Sequence, residues 1–161
     1  KLIKAAQTII NALPMAIYPY VSRLFYNSDN TDNVSRIFRI VKWAVMLLLP
    51  ITLIIGFCNP LIAIYLELPE EIIRGIVWII CPALLFGCLN YIVGIVGLVN
   101  LNSSGKFQKN IWTAGITSVT LMLLACKEYT FYAAAAAWTW AEFILFVLCV
   151  LSLKRIKAGK R

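Results

Sequence analysis

Glu142 is the one acid inside an otherwise apolar run, residues 129–153. A lone carboxylate in hydrocarbon costs about 3 kcal/mol or more, so it is protonated, partnered or facing water. Two kinds of chemistry suit such a group. It can take up a proton or cation as a coupling or gating group, or it can hydrogen-bond across a helix contact and hold the last helix in place. The other apolar runs contain no base, so the expected partner is Lys4 or a group outside this chain.

A second set of polar residues lies near the start. At about 100° per residue, Lys4, Gln7, Asn11, Tyr18 and Ser22 share one arc of a helix, with Lys1 and Met15 flanking or sharing it. Such a stripe avoids lipid. Either it lines a transport pathway, with Lys1 and Lys4 placing positive charge at its outer end, or it packs on further helices while the lysines snorkel to the interface. Farther on, Gly87, Asn90, Gly94 and Gly97 share a face, as do Asn110, Thr113, Thr117 and Thr120. Small residues allow close helix approach and Asn and Thr bond across it, so both faces are expected to be packing seams. Asn90 also joins Lys1, Lys4, Gln7, Asn11 and Tyr18 as a candidate pathway residue. The run 133–137, all alanine, reads as a close-packing surface.

No catalytic constellation emerges. The chain has no histidine, which removes the usual proton shuttle, the commonest zinc ligand and any Ser-His or Cys-His nucleophile. The five cysteines, Cys58, Cys81, Cys88, Cys126 and Cys149, lie in or at the ends of apolar runs with no C-x-x-C pair, as small buried apolar residues do. There is no phosphate-cradling glycine loop. The expectation is a protein that is not an enzyme, with neither cofactor nor metal.

The elements that must position these residues are set by where charge is missing. Residues 5–22, 43–66, 75–105 and 110–126 carry none, and 129–153 carries only Glu142. About 20 apolar residues cross a bilayer as a helix, and lipid tolerates only helices or closed barrels. No period-2 alternation supports a barrel. The apolar share of 61% and the mean hydropathy of +0.84 agree. The expected fold is an all-α membrane protein, one transmembrane helical region over 1–161. Its five helices fall near 2–25, 36–66, 72–101, 108–126 and 129–153, the second interrupted at Pro50 and at Asn59-Pro60, with a basic tail, 154–161, after them. The net charge of +8 flanks apolar runs instead of forming a patch, so it suggests anionic lipid and not nucleic acid.

The positive-inside rule gives the orientation. Arg23, Arg36, Arg39, Lys42, Lys106, Lys109, Lys154, Arg155, Lys157, Lys160 and Arg161 fall on one side. Lys1, Lys4, Arg74 and Lys127 fall on the other, with Glu67, Glu70, Glu71 and Glu128. The C-terminus is therefore expected in the cytoplasm. Gln7 and Asn11 interrupt residues 1–22 where a signal peptide needs a continuous apolar core. An initial Lys1 close to an apolar run suggests the carboxy-terminal part of a longer protein.

The stretch KLIKAAQTIINALPMAIYPYVSRLF, with Pro19 and Ser22 at its close, resembles a helix of oligosaccharide-lipid flippases. LLFGCLNYIVGIVGLVNLNSSGKFQKN (84–110) resembles that family's tenth helix and following loop, and the alanine-rich last helix ending in Ala141-Glu142 is also similar. Together they resemble the Wzx-type O-antigen flippases of the multidrug/oligosaccharidyl-lipid/polysaccharide (MATE/MOP) superfamily. The resemblance implies helices eight to twelve of a two-lobed transporter in the bacterial inner membrane. It further implies movement of an undecaprenyl-pyrophosphate-linked oligosaccharide by alternating access, with membrane lipids and a missing N-terminal lobe as partners. Alternatives are a cation-coupled multidrug antiporter of the same superfamily, with Glu142 as its coupling acid, or a non-transporting membrane scaffold for glycan assembly.

Overall fold

The computed structural model describes residues 8, 12, 14–23, 30–125 and 130–158, and every element among them is helical. Helical residues 14–23 form α1. After it come α2 (Asn30–Phe57), α3 (Asn59–Leu66), α4 (Glu70–Asn90), a π-helical continuation (Tyr91–Val99), α5 (Ser104–Ala125) and α6 (Thr130–Ala158).

Several boundaries differ from expectation, each for a local reason. The helix expected over 36–66 starts earlier and runs through Pro50 without a break, whereas the interruption expected at Asn59-Pro60 is present. Asp32 in the first turn of α2 complements the helix dipole, so the polar segment from Asn30 onward is already helical. Asn59-Pro60 then stops α2 and restarts the chain as α3, proline being well suited to a helix's first turn. Glu67 ends α3 in the left-handed region at φ 55°. The basic tail is helical through Ala158, because Arg155 and Lys157 sit at a helix C-terminus, where cations are favoured.

Three of the described helical stretches are long and apolar enough to cross a membrane, Asp32–Phe57, Glu70–Val99 and Tyr132–Ala158, against the five expected. Most of the first expected span falls on residues that are not described. The fourth, α5, is 22 residues long. Its hydropathy is lowered by Lys106, Gln108, Lys109, Asn110 and by hydroxyls at Thr113, Thr117, Ser118 and Thr120.

Glu70–Val99 is the central helix, with 67% of its apolar window buried. Val93, Val96 and Leu98 of its π segment pack with Val21, Ile37 and Leu153 of α1, α2 and α6. Leu84, Cys88 and Leu89 of α4 pack with Ala44 and Leu48 of α2. On the outside, Trp43, Met46, Phe57, Ile64, Trp112 and Leu124 are exposed, the reverse of a water-soluble surface.

Candidate functional site

Asn90 is the last residue of α4, at the point where the winding widens from α to π. π turns are rare and cluster at functional sites. Across the interface lies Glu142 of α6. The Asn90 Nδ2 group donates to the Glu142 carboxylate Oε2 at 2.7 Å and to the Glu142 backbone oxygen at 2.8 Å. Both amide hydrogens are thereby used, and the Asn90 side chain is fixed at both ends of one residue. Its own carbonyl, Oδ1, is buried and has no hydrogen-bond partner among the described residues. A buried oxygen without a donor is costly. Amide and carboxylate oxygens are hard donors of the kind that small cations prefer.

The structure therefore brings together two residues that the sequence placed in different roles. The partner of Glu142 among the described residues is a carboxamide, not a base. Lys1, Lys4, Gln7 and Asn11 lie outside the described residues, as does Cys126. Tyr18 is half-buried and packs against the inner core. Ser22, at the other end of the same stripe, donates a long bond of 3.5 Å to Asn100 Oδ1. Of the described part of the stripe, Tyr18 and Ser22 thus face protein, while Met15 is exposed.

The glycine face is a packing surface, but its members meet different helices. Any side chain at Gly94 would collide with the Phe107 ring of α5, whereas a Cβ at Gly97 would come within 3.3 Å of Ile37 in α2. The wider π turn rotates each residue less than an α turn, so a wheel drawn at about 100° per residue misplaces residues beyond Asn90. The threonine face is corrected. Thr113, Thr117 and Thr120 donate to carbonyls of their own helix, those of Lys109, Ala114 and Ile116. A hydroxyl can satisfy itself in this way wherever no partner helix offers an acceptor. The bonds that do cross come from Asn110 Nδ2 to Ser152 Oγ at 3.1 Å and from Ser118 Oγ to the Ala137 carbonyl at 2.7 Å. The alanine run is a packing surface: Ala133, Ala135 and Ala137 are buried as α6 passes between α4 and α5. Tyr132, just before it, lays its ring over Gly75 of α4.

Sequence reasoning misses a second site. A cleft of about 770 Å³ opens between α1 and α2, lined by Ile17, Tyr20, Arg36, Arg39, Trp43 and Met46 among others. Its walls are largely apolar, and both arginines enter from the first turns of α2. Neither arginine makes a hydrogen bond or ion pair with another described residue. In the sequence both read only as topology signals. The signal that could have found them is spacing, since Arg36, Arg39, Ile40, Trp43 and Leu47 recur as one helix face.

Compared with family models, with characterised proteins and with solved structures, the chain finds no match.

The two sites differ in what they offer. The Asn90–Glu142 couple offers one ionisable group and one unpaired acceptor inside the helix packing. The cleft offers two cations at one end of a long apolar wall, complementary to an amphiphile with an anionic head.

Proposed function

We propose that the protein serves in a transporter that moves an anionic amphiphile across the bacterial inner membrane by alternating access. In this reading the C-terminus is cytoplasmic, which the positive-inside distribution of Lys and Arg supports. The cargo in this reading is an undecaprenyl-pyrophosphate-linked oligosaccharide, an O-antigen or capsule repeat unit, and the sequence resemblance to Wzx-type flippases supports that choice. The observation that carries the reading is the α1–α2 cleft, whose arginines have no partner among the described residues and whose walls are apolar. Arginine binds phosphate oxygens through paired, charge-assisted hydrogen bonds, and an apolar wall suits a polyprenyl chain.

The test is export in cells. Arg36→Ala/Arg39→Ala should lower surface polysaccharide severalfold while the protein stays in the membrane at its normal level. Unchanged export would remove the cleft from the cargo route.

A second reading, a cation-coupled antiporter, is favoured by one specific observation: Asn90, whose Nδ2 holds the Glu142 carboxylate, keeps a buried Oδ1 with no partner among the described residues. Under it, dye efflux driven by a proton or sodium gradient is abolished by Glu142→Gln. Efflux that persists without a gradient counts against it.

A further inference from the structure

At the basic end of the bundle, Lys106 and Lys109 of α5 and Arg155 of α6 line a cleft of about 310 Å³, with Asn110 and Ser152 between them. No acid lines it. The three cations are exposed, whereas Asn110 and Ser152 are half-buried. Asn110 Nδ2 bonds to Ser152 Oγ at 3.1 Å and reaches Cys149 Sγ at 3.6 Å, which ties the two helices together at this point. Ser152 accepts in that bond, so its own hydrogen is left to donate into the cleft. Lys106 lies in the first turn of α5, where the helix dipole adds partial positive charge.

Solvated lysines alone would explain nothing more than a polar rim. Beyond them, the surface of α5 changes character. Ile111, Trp112, Gly115, Ile116, Val119 and Thr120 line a groove of about 500 Å³. Among the described residues, nothing lies within 4 Å of where a Cβ on Gly115 would stand, so the groove is open at its middle. Lys109, Trp112, Ile116 and Thr120 recur at helical spacing, so the cationic end and the groove share one stripe. At a rise of about 1.5 Å per residue, Lys109 to Thr120 covers about 16 Å, close to half of a hydrocarbon core of about 30 Å. The stripe is one leaflet deep. Although α5 falls short of a span by hydropathy, the Asn110–Ser152 and Ser118–Ala137 bonds hold it antiparallel along the apolar helix α6.

We propose that this stripe binds one anionic phospholipid, its headgroup phosphate held by Lys106, Lys109, Arg155 and the Ser152 hydroxyl and an acyl chain lying in the groove past Gly115. The site is separate from the α1–α2 cleft and does not depend on what that cleft carries. Basic pockets between helices at a membrane interface are suited to such headgroups.

Native mass spectrometry of the purified protein in detergent tests it, with phosphatidylglycerol, phosphatidylcholine or inorganic phosphate added. Phosphatidylglycerol should be retained one to one, and phosphatidylcholine about tenfold more weakly. Lys106→Ala/Lys109→Ala/Arg155→Ala should lose about tenfold in phosphatidylglycerol affinity. The charge-matched Arg23→Ala/Lys42→Ala/Lys154→Ala should lose little. Gly115→Leu, which fills the groove without altering charge, should weaken the lipid severalfold. Equal losses in the two triple variants, equal retention of phosphatidylcholine, or full affinity in Gly115→Leu would overturn the site. Inorganic phosphate displacing the lipid at millimolar concentration would make it a free-oxyanion site and overturn the lipid assignment.

Discussion

The Asn90–Glu142 couple and the Arg36–Arg39 cleft are both polar groups set among apolar ones, yet they are built in opposite ways. Asn90 is buried, its amide fully engaged by a single residue 52 positions away. Arg36 and Arg39 are exposed, with no described partner, at the edge of an open cleft. The first arrangement fixes two helices against each other and leaves one acceptor unfilled. The second is held by nothing in the described molecule and is free to meet a ligand. A polar residue in a membrane protein is therefore not informative by itself. What distinguishes an internal tie from a binding surface is whether its hydrogen-bonding groups are already used.

That contrast can be broken by mutation. The largest effect belongs to the interior: Gly94→Val would drive a side chain into the Phe107 ring and should cost about 3 kcal/mol, read from thermal unfolding in detergent. Asn90→Leu leaves the Glu142 carboxylate without its donor and should cost about 2 kcal/mol by the same measurement. If Asn90→Leu unfolds no earlier than wild type, the couple is not a tie. Arg36→Ala/Arg39→Ala should do the reverse. It should weaken binding of a fluorescent polyprenyl phosphate about tenfold, or about 1.4 kcal/mol, with the unfolding midpoint unmoved. A large shift in that midpoint would show that the arginines serve the fold. Glu142→Gln should cost the interior little, about 1 kcal/mol or less, because a glutamine oxygen still accepts from Asn90 Nδ2. The variant separates the ionisable function of Glu142 from its structural one: a drop in transport with near-normal unfolding assigns the charge to coupling.

Part of this is visible in the sequence. Glu142 and Asn90 each stand out, one as an acid in an apolar run and the other as an amide on a small-residue face. The alanine run and the glycine face are visible as packing surfaces for the same reason, since residue size is a property of each position. The pairing of Asn90 with Glu142 is not visible, because a side chain's partner depends on how two helices are rotated about their axes. Past Asn90 the π winding from Tyr91 to Val99 adds a further change of rotation, which no α-helical wheel anticipates. The threonines of α5 mislead because a hydroxyl has two equally local choices, its own helix or a neighbour.

By itself, the sequence determined that this is a helical protein with spans suited to a membrane. Burying apolar surface and satisfying the backbone are demands that composition meets locally, residue run by residue run. Only the tertiary structure decided which polar groups are spent inside and which stay available. It paired Asn90 with Glu142, laid α5 along α6 despite its modest hydropathy, and left Arg36 and Arg39 at the edge of an apolar wall. Those outcomes depend on contacts between elements, and no single stretch of chain contains both sides of a contact.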